Sequence, residues 1–552
     1  YGSGHLLGMT LDQHEVLAYE RDDLHREVVR HQGNKLMQTQ AWDPVGRLQE
    51  QLLGSHDGQS TLLKRQYRYD AASQLTNIQD SRRGPLEYQY DPVGRLLQAT
   101  SRLGVETFAF DPAGNLLDQK TQELNRPLEA DPRRNKLMDN LLREYAGTHY
   151  KYDERGNLIH RLHNGAHAHF TWDLFDRLAS YNDDKLKVDY SYDALGRRLH
   201  KHSVAHFWDR PEAGTGWNQL QRAKRQRELG CGFTLFGWDG DTLAWESSPP
   251  RDEGDTGRTV HYLYEPGSFV PVAQALRKSP IRLHKQPDWS QREYDFDQDP
   301  LWHTDVKPQP FEAIAWYQCD HLGTPMELTD EQGHVAWAGQ YKAWGEVREE
   351  RSDWAKQHGL GNSIRFQGQY HDHETGLHYN RHRYYDPDAG RFVSKDPLSY
   401  GGGVNIFLYV ANPTGMIDPL GLCSSKLNNA LGGTTGDHLQ AHHVIPEQIW
   451  KNHTSFFSAI GLGGDMDKKE NGVLMPDSEA KAKQMGRMFY HCGSHTKYSE
   501  GVDFEVSRIS TAYSAGTITD SVARDKIAAL QNRNRVLLQA PGVPGITPKR
   551  LG

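Results

Sequence analysis

Hydrophobic and polar residues alternate in short stretches over the first two thirds of the chain, and each stretch ends at a turn. Aromatic residues two positions apart precede an aspartate, as Tyr88 and Tyr90 precede Asp91. Residues two apart share one face of a β-strand. The aspartate then starts a turn, a glycine permits a positive φ, and a leucine re-enters a strand. The pattern predicts hairpin corners in a continuous antiparallel ribbon.

The corner recurs as aromatic-Asp-x-x-Gly-(Arg/Asn)-Leu, with some degenerate copies. Its aspartates fall at positions 43, 70, 91, 111, 153, 173, 193 and 239. Many neighbouring copies are separated by one or two lengths of a common period of about 20 residues, which matches two strands and two turns, whereas the blades of a β-propeller need about 40 residues. The sequence therefore favours a ribbon of hairpins.

Composition limits the class of protein further. The 552 residues are 36% hydrophobic and 10% aromatic, which disfavours disorder. No stretch approaches the roughly 20 apolar residues of a membrane-spanning helix. The four cysteines are too few and too far apart for a disulfide framework, so we expect free thiols. No leader opens the chain, and Tyr1 and the residues after it resemble the middle of something longer.

Two further motifs follow the repeat. They read WYQCDHLGTPMELTD from Trp316 to Asp330 and RFQGQYHDHETGLHYNRHRYYDPDAGRF from Arg365 to Phe392. Together with the repeat, they resemble the RHS/YD-repeat family. The resemblance implies a mostly β shell over residues 1–392, an antiparallel ribbon wound into a hollow cocoon that is incomplete at its N-terminus. The charged stretches 201–230 and 276–310 are expected to be loops or insertions.

Two Asp-Pro elements, at Asp396 and Asp418, come after the shell motifs. Two carboxyl groups held together can divide roles, one ionised as a base and one protonated as an acid. Spacing alone favours two ordinary turns. RHS cores, however, end in two Asp-Pro-x-Gly elements and cut themselves just behind a following Gly-Leu. The resemblance thus implies that residues 393–422 are an aspartyl autoprotease segment that cuts between Leu422 and Cys423.

The first Asp-Pro element departs from the family pattern. It reads Asp-Pro-Leu-Ser, with Ser399 where the family has glycine, so slower cleavage is expected. Arg391 is a candidate for orienting one of the carboxylates.

Residues 423–552 have a different character. They hold 15 Lys and Arg against 12 Asp and Glu, while the rest of the chain has a net charge of −11. A mildly basic unit fits a polyanionic partner. We expect a strand, turn, strand and helix that hold one ion.

The candidate chemistry of this unit lies in its histidines. His442 and His443 are adjacent, so on a strand they point to opposite faces. His491 and His495 are four apart, so on a helix they share one face. His442, His491 and His495 as metal ligands, with His443 as general base, satisfy the chemistry of phosphodiester hydrolysis. Separately, each pair also fits a solvated surface.

Three motifs resemble the AHH branch of the HNH/endonuclease VII nucleases: AHHVIP at Ala441, NGVLMP at Asn471 and HCGSHTKY at His491. The resemblance implies the same roles, with Asn471 orienting the loop of the base, and one divalent ion, Mg²⁺, Zn²⁺, Mn²⁺ or Ni²⁺. Tyr498 and His453 are candidate neighbours, for phosphate contact or for packing.

DNA is the expected substrate and RNA the alternative. Residues that could contact phosphates are Lys481, Lys483, Arg487, Lys497, Arg533, Arg535, Lys549 and Arg550.

A shell joined to a self-releasing nuclease fits a packaged toxin. The family resemblance implies an antibacterial effector that secretion-system proteins deliver, often those of type VI secretion. It is expected to act in the cytoplasm of the target bacterium and to have a cognate immunity protein. The alternative is a cell-surface adhesion protein with an inert tail, since related shells serve adhesion in animals.

Overall fold

The computed structural model describes residues 6–12, 14–117, 140–251, 255–303, 310–397, 405–422, 439–462, 466, 469–476, 479–490, 496–542 and 547–550. They form two compact units: the YD-repeat unit, which ends at Leu422, and the C-terminal unit, which the described residues from 439 onward represent. Strands dominate the first unit, and helices with short strands form the second. The predicted mostly β fold with a small α+β part is confirmed. Among the described residues, no helix combines the length and apolar character needed to cross a membrane.

The YD-repeat unit begins with a sheet of ten described strands, in which each strand pairs with the next along the chain. These strands are β1 (Gly8–Leu11), β2 (His14–Arg21), β3 (Glu27–Gln32), β4 (Leu36–Trp42), β5 (Leu48–Ser55), β6 (Thr61–Tyr69), β7 (Leu75–Asp80), β8 (Gly84–Tyr90), β9 (Leu96–Ser101) and β10 (Gly104–Thr107). A separate two-stranded pair follows, β11 (Ala109–Phe110) and β12 (Leu116–Leu117).

A second sheet of fifteen described strands has the same sequential order. It contains β13 (Glu144–Tyr145), β14 (Thr148–Tyr152), β15 (Leu158–His163), β16 (Ala166–Trp172), β17 (Leu178–Asn182), β18 (Leu186–Tyr192), β19 (Arg198–Ala205), β20 (Phe233–Asp239), β21 (Thr242–Ser248), β22 (Arg258–Tyr264), β23 (Pro271–Arg277), β24 (Ala313–Cys319), β25 (Pro325–Thr329), β26 (Val335–Tyr341) and β27 (Val347–Arg351). A four-stranded sheet closes the unit with β28 (Tyr370–His371), β29 (His378–Asn380), β30 (Arg383–Asp386) and β31 (Arg391–Phe392).

One corner illustrates the turn that joins these strands. The Asp193 Oδ1 atom accepts hydrogen bonds from the backbone N–H groups of Leu195 and Arg197, at 2.9 and 2.8 Å. The Arg197 Nε donates to Asp193 Oδ2 at 2.7 Å. Gly196 has a φ of 77°, a backbone conformation that favours glycine. The aspartate thus ties the turn together, and the residue four positions later neutralises its charge.

The same carboxylate-centred turn occurs at seven of the eight predicted aspartates. Asp239 is the exception, because it closes a tight hairpin directly opposite Thr242. Asp320 and Asp330 also form the turn, accepting from the residues four positions later. No aromatic residue immediately precedes these two in the sequence, which is why the repeat pattern does not include them.

Helices interrupt the ribbon where loops or insertions are expected. Most of the stretch 201–230 is helical, with the 3₁₀ turn η1 (Pro211–Ala213) and helix α1 (Thr215–Glu228). The other elements of the unit are η2 (Phe296–Gln298), α2 (Pro300–His303) and α3 (Asp353–Gln357). Cys231 and Cys319 are free and buried, in agreement with the predicted thiols, while Cys423 and Cys492 lie outside the described residues.

The C-terminal unit places two short antiparallel strands beside several helices. Its elements are β32 (Leu439–His443), α4 (Glu447–Asn452), α5 (Thr454–Ala459), η3 (Lys469–Asn471), β33 (Gly472–Pro476), α6 (Glu479–Gln484), β34 (Phe489–Tyr490), α7 (Thr496–Ser514), α8 (Asp520–Leu538) and β35 (Lys549–Arg550). The predicted direct turn between the two strands is wrong. Helices α4 and α5 lie between them because their buried residues, such as Ile449 and Phe457, build the core of the unit against α7 and α8.

Candidate active sites

The two predicted aspartates share one buried arginine. The side chains of Asp396 and Asp418 are only 2% and 4% exposed, and both approach the same Arg383 nitrogen, Nη2, at 3.0 and 3.3 Å. A single nitrogen atom therefore bridges one oxygen of each carboxyl group. The structure brings the predicted pair together.

Arg383 was not predicted, and it links several parts of this site. Its guanidinium carbon lies 3.6 Å from the centre of the Phe392 ring. Its Nε donates to the Gly421 carbonyl, and its Nη1 donates to the Ile406 carbonyl at 3.1 Å. Because the backbone N–H of Asp396 also donates to the Ile406 carbonyl, at 2.8 Å, the arginine and the first aspartate are tied to the same carbonyl group.

Arg391, the predicted helper, has other partners in the described structure. Its guanidinium donates to the Asn115 side chain and to the Asn140 carbonyl, and it lies over the Phe407 ring. These contacts join neighbouring segments of the repeat unit. The sequence offers no sign that distinguishes Arg383 from Arg391, because both are in the same arginine-rich motif.

The segment that follows Asp418 forms a turn that shares two features with a YD corner. The backbone N–H of Leu422 donates to Asp418 Oδ1 at 2.9 Å, and Gly421 has a φ of 70°. The Asn380 side chain donates to the Asp418 carbonyl at 2.7 Å. The predicted cleavage position thus starts at the last residue of an ordered turn, although Cys423 lies outside the described residues.

The environment of the two carboxyl groups favours different protonation states for Asp396 and Asp418. Burial raises the pKa of Asp418 to about 6, and the nearby Asp396 adds to the rise, against the lowering effects of Arg383 and of the Leu422 N–H. One guanidinium neutralises one carboxylate, and a second buried negative charge is costly. The arrangement therefore suits one ionised and one protonated carboxyl group, which is the division that an aspartyl dyad needs.

The C-terminal unit holds the predicted histidine pair on a short strand. His442 and His443 lie opposite Val473 and Gly472 in the pairing of β32 with β33. His442 is buried at 3% exposure, whereas His443 is half-buried. The two side chains thus have different environments, as predicted for adjacent residues on a strand.

Asn471 ties the neighbouring loop to this strand. It is fully buried, and its Oδ1 accepts the Ile445 N–H at 2.9 Å while its Nδ2 donates to the carbonyls of Ile445 and Met466. Helix α8 supports the same loop: Gln531 contacts Asn471 Oδ1 at 3.3 Å, and Arg535 donates to the Glu470 and Gly472 carbonyls. The bracing role of Asn471 stays a prediction, and the support from α8 is an addition that the sequence did not indicate.

Tyr498 and His453 both make structural contacts. The Tyr498 hydroxyl donates to the Val444 carbonyl at 2.6 Å, and its ring packs edge-on against His442 at 5.6 Å. Burial raises the pKa of Tyr498. His453 lies 3.1 Å from Asp503 of α7. These contacts favour packing over phosphate contact for both residues.

The proposed metal ligands are described only in part. His442 offers an imidazole, a donor suited to first-row divalent ions, and Tyr498 and the strand pairing hold it in place. His491 and His495, the other two predicted ligands, lie outside the described residues.

Several predicted phosphate-contacting residues have other partners. Arg535 and Arg487 donate to backbone carbonyls. Lys483 lies 2.7 Å from Glu479, and Arg533 lies 3.9 Å from Glu505. Arg535 and Arg487 thus have structural roles. Lys483 and Arg533 lie on the surface, where a phosphate could replace their carboxylate partners.

Comparison with known families finds matches to three parts of the chain. A model described as Teneurin YD-shell matches residues 8–206, and one described as RHS protein matches residues 314–351. The chain belongs to the RHS/YD-repeat family. A third model, a nuclease family of the HNH/ENDO VII superfamily with conserved AHH, matches residues 424–533 of this RHS chain.

Two toxins are among the curated relatives of this RHS chain. The chain is 35% identical over 447 residues to Double-stranded DNA deaminase toxin A of Burkholderia cenocepacia, an alignment that covers 77% of this chain and 27% of the relative. It is 35% identical over 465 residues to Toxin protein Tse5 of Pseudomonas aeruginosa, with coverage of 76% and 32%.

A third relative matches over more of the chain. Probable deoxyribonuclease RhsA of Dickeya dadantii is 29% identical over 480 residues, which cover 84% of this chain and 28% of the relative. The chain therefore spans less than a third of the length of these curated relatives.

Proposed function

We propose that this RHS chain is an antibacterial toxin that cuts itself after Leu422 and frees a C-terminal, metal-dependent nuclease that hydrolyses DNA. The buried Asp396–Arg383–Asp418 group carries the first step of this proposal. The match to the AHH nucleases over residues 424–533 supports the second.

In the self-cleavage reaction, Asp396 is the base and Asp418 the acid. The ionised Asp396 carboxylate takes a proton from a water molecule, whose oxygen attacks the Leu422 carbonyl carbon. Asp418, whose raised pKa of about 6 keeps a fraction of it protonated near neutral pH, gives a proton to the carbonyl oxygen. The tetrahedral intermediate then collapses: Asp396 gives the proton it took from water to the Cys423 nitrogen, Asp418 takes a proton from a hydroxyl of the intermediate, and the C–N bond breaks to leave the Leu422 carboxyl group and the Cys423 amine. The Arg383 guanidinium, 3.0 Å from Asp396 Oδ2, supplies the positive charge that faces this base.

In the nuclease reaction, His443 is the general base that takes a proton from the attacking water. His442, His491 and His495 are the residues that would hold a divalent ion, which stabilises the charge that develops on the phosphate when it is bound. Asn471 keeps the strand that carries His443 in place through its bonds to Ile445.

DNA is preferred to RNA as the substrate because one relative that matches most of this chain is named a probable deoxyribonuclease. The match to the Dickeya deoxyribonuclease covers 84% of the chain. A continuous segment of this extent is longer than the whole YD-repeat unit up to Leu422, so the match includes part of the C-terminal unit. Delivery by a secretion system, action in the cytoplasm of a target bacterium and a cognate immunity protein complete the proposal.

Cleavage of supercoiled plasmid by the purified chain tests the nuclease. With Mg²⁺, Zn²⁺, Mn²⁺ or Ni²⁺ added in turn, we expect nicked and then linear DNA, and His443→Ala should slow this by about a hundredfold or more because the base is lost. His453→Gln is the matched control in the same unit, since His453 contacts Asp503 rather than the strand pair.

Two results would contradict the nuclease proposal. An unchanged rate in His443→Ala would remove His443 from the chemistry. Degradation of RNA by the same sample, with the plasmid left intact, would replace DNA with RNA as the substrate.

A further inference from the structure

Three histidines meet on one hairpin of the YD-repeat unit, far along the chain from the predicted nuclease residues. The hairpin joins β15 and β16 through Asn164 and Gly165, whose φ values of 48° and 81° suit a tight turn. His160 of β15 lies directly opposite His169 of β16. His167 precedes His169 by two positions and therefore shares its face of the strand.

The imidazole nitrogens of this histidine trio, His160, His167 and His169, lie close together. One nitrogen from each ring can be chosen so that all three are within 4.8 Å of one another, and His160 Nε2 lies 3.0 Å from His167 Nδ1. The rings of His167 and His169 are stacked, with an angle of 9° between their planes. Three nitrogens bound to one tetrahedral zinc ion are about 3.3 Å apart, given Zn–N bonds of about 2.0–2.1 Å.

The trio is open to solvent and held on a rigid support. His167 and His169 are exposed and His160 is half-buried, while Ala168, which lies between the two exposed histidines, and Phe170, which follows them, are buried in the core. The strands therefore fix the backbone under each histidine, and only rotation of the exposed rings is needed to converge on an ion. Chelating side chains on neighbouring ordered strands lose little backbone entropy on binding.

The donor set selects the class of ion. The cluster consists of three imidazoles, and imidazole suits Zn²⁺, Cu²⁺ and Ni²⁺, whereas Mg²⁺ and Ca²⁺ prefer oxygen ligands. We propose that His160, His167 and His169 form a binding site for one first-row transition-metal ion. The ion connects β15 to β16 and keeps at least one coordination position open to solvent or to a further ligand.

Two residues near the histidine trio, His163 and Lys151, are not ligands in this proposal. His163, on the same hairpin, is engaged elsewhere, because its Nδ1 lies 2.7 Å from Thr148 Oγ1 and its Nε2 contacts Asn164. Lys151 lies opposite His160 on β14. Its positive charge opposes a bound cation, so Lys151→Gln should tighten binding, by about threefold for a partly screened charge.

Calorimetric titration of the full chain with Zn²⁺ tests the site. All samples carry His442→Ala, so that the proposed nuclease site does not contribute and the two proposals fail independently. We expect one more zinc ion bound by this background than by the same chain with His167→Asn, whose affinity at this site should fall at least about tenfold because one of three ligands is lost. His163→Asn is the matched control and should bind like the background.

A second probe separates loss of a ligand from a general change in the hairpin. Co²⁺ bound to imidazoles absorbs visible light, and this absorption should disappear in His167→Asn and persist in His163→Asn. Equal zinc binding and equal cobalt spectra in the background, His167→Asn and His163→Asn would overturn the proposal. Mg²⁺ should bind the trio in none of these samples, and displacement of Zn²⁺ by Mg²⁺ would contradict the assigned class of ion.

Discussion

The corners at Asp193 and Asp418 have the same local sequence pattern, Asp-x-Leu-Gly, and share the hydrogen bond from the fourth residue's N–H to the carboxyl group, yet their carboxyl groups differ in chemistry. In both, a glycine follows with a positive φ, of 77° and 70°, and the residue at the fourth position donates its N–H to the aspartate, at 2.8 and 2.9 Å. That fourth residue is Arg197 in one corner and Leu422 in the other.

Burial and the fourth residue together set the pKa of the aspartate. At Asp193, burial is the largest single effect and raises the pKa, but the backbone N–H and the guanidinium of Arg197 together outweigh it, so the pKa is lowered. At Asp418, burial dominates and raises the pKa to about 6, because the cation that faces it, Arg383, is shared with Asp396. The aspartate of a structural turn can thus serve as an acid when the arginine of the turn is replaced and the carboxyl group is buried. The YD-repeat unit contains a corner of each kind, at Asp193 and at Asp418.

The largest expected effect is that of removing the acid. Asp418→Asn should abolish self-cleavage, because an amide donates no proton to the Leu422 carbonyl, and a denaturing gel should show one band instead of two. Asp193→Asn, the same change in the structural corner, is the control and should leave cleavage complete. Two bands from Asp418→Asn would remove this carboxyl group from the reaction.

The pH dependence of cleavage should reflect the raised pKa of Asp418. Because the acid form is needed, the rate should be highest below about pH 6 and fall about tenfold for each further pH unit above it. Freshly translated chain, sampled over time in buffers from pH 5 to pH 8, measures this. A rate that rises through this range would mean that an ionised Asp418 is required instead.

Converting the Asp418 corner into a repeat corner should slow cleavage. Leu422→Arg supplies the guanidinium that Arg197 supplies to Asp193, and lowering the pKa of Asp418 by one unit reduces its protonated fraction about tenfold near pH 7. Time courses on gels should therefore show about tenfold slower fragmentation. Leu422→Met, which adds no charge, is the control, and equal slowing by both variants would attribute the effect to shape.

The smallest effect is expected in the structural corner itself. Asp193→Ala removes the acceptor of two backbone N–H groups and a partly exposed ion pair, which should lower the free energy of unfolding by about 1–2 kcal/mol. Urea denaturation of this variant in the uncleaved Asp418→Asn background measures the change. A loss above about 4 kcal/mol would show that the corner supports more than its own turn.

The repeat corners could be predicted from the sequence because all their parts are local. The acceptor, the positive-φ residue and the arginine lie within five consecutive positions, as in Asp193 to Arg197. The pairing of Asp396 with Asp418 was predicted only through the family resemblance, since spacing alone also fits two turns. The position of Arg383 between them depends on tertiary contacts that no local pattern records.

In the C-terminal unit, too, local features could be predicted from the sequence and tertiary contacts could not. The separation of His442 from His443 follows from strand geometry, and the importance of Asn471 was predicted from its motif. The support from Gln531 and Arg535 comes from a helix much later in the chain, and the helices between the two strands were missed because the core of the unit decides their place. The histidine trio of β15 and β16 likewise depends on strand register, which sets His160 opposite His169.

The mass spectrum of the intact, purified wild-type chain tests the central claim most directly, because it gives the position of the broken bond. We expect two species, one that ends at Leu422 and one that runs from Cys423 to Gly552. A single species of 552 residues, or a break at any other peptide bond, would contradict the assignment of Asp418 and its corner as the cleavage site.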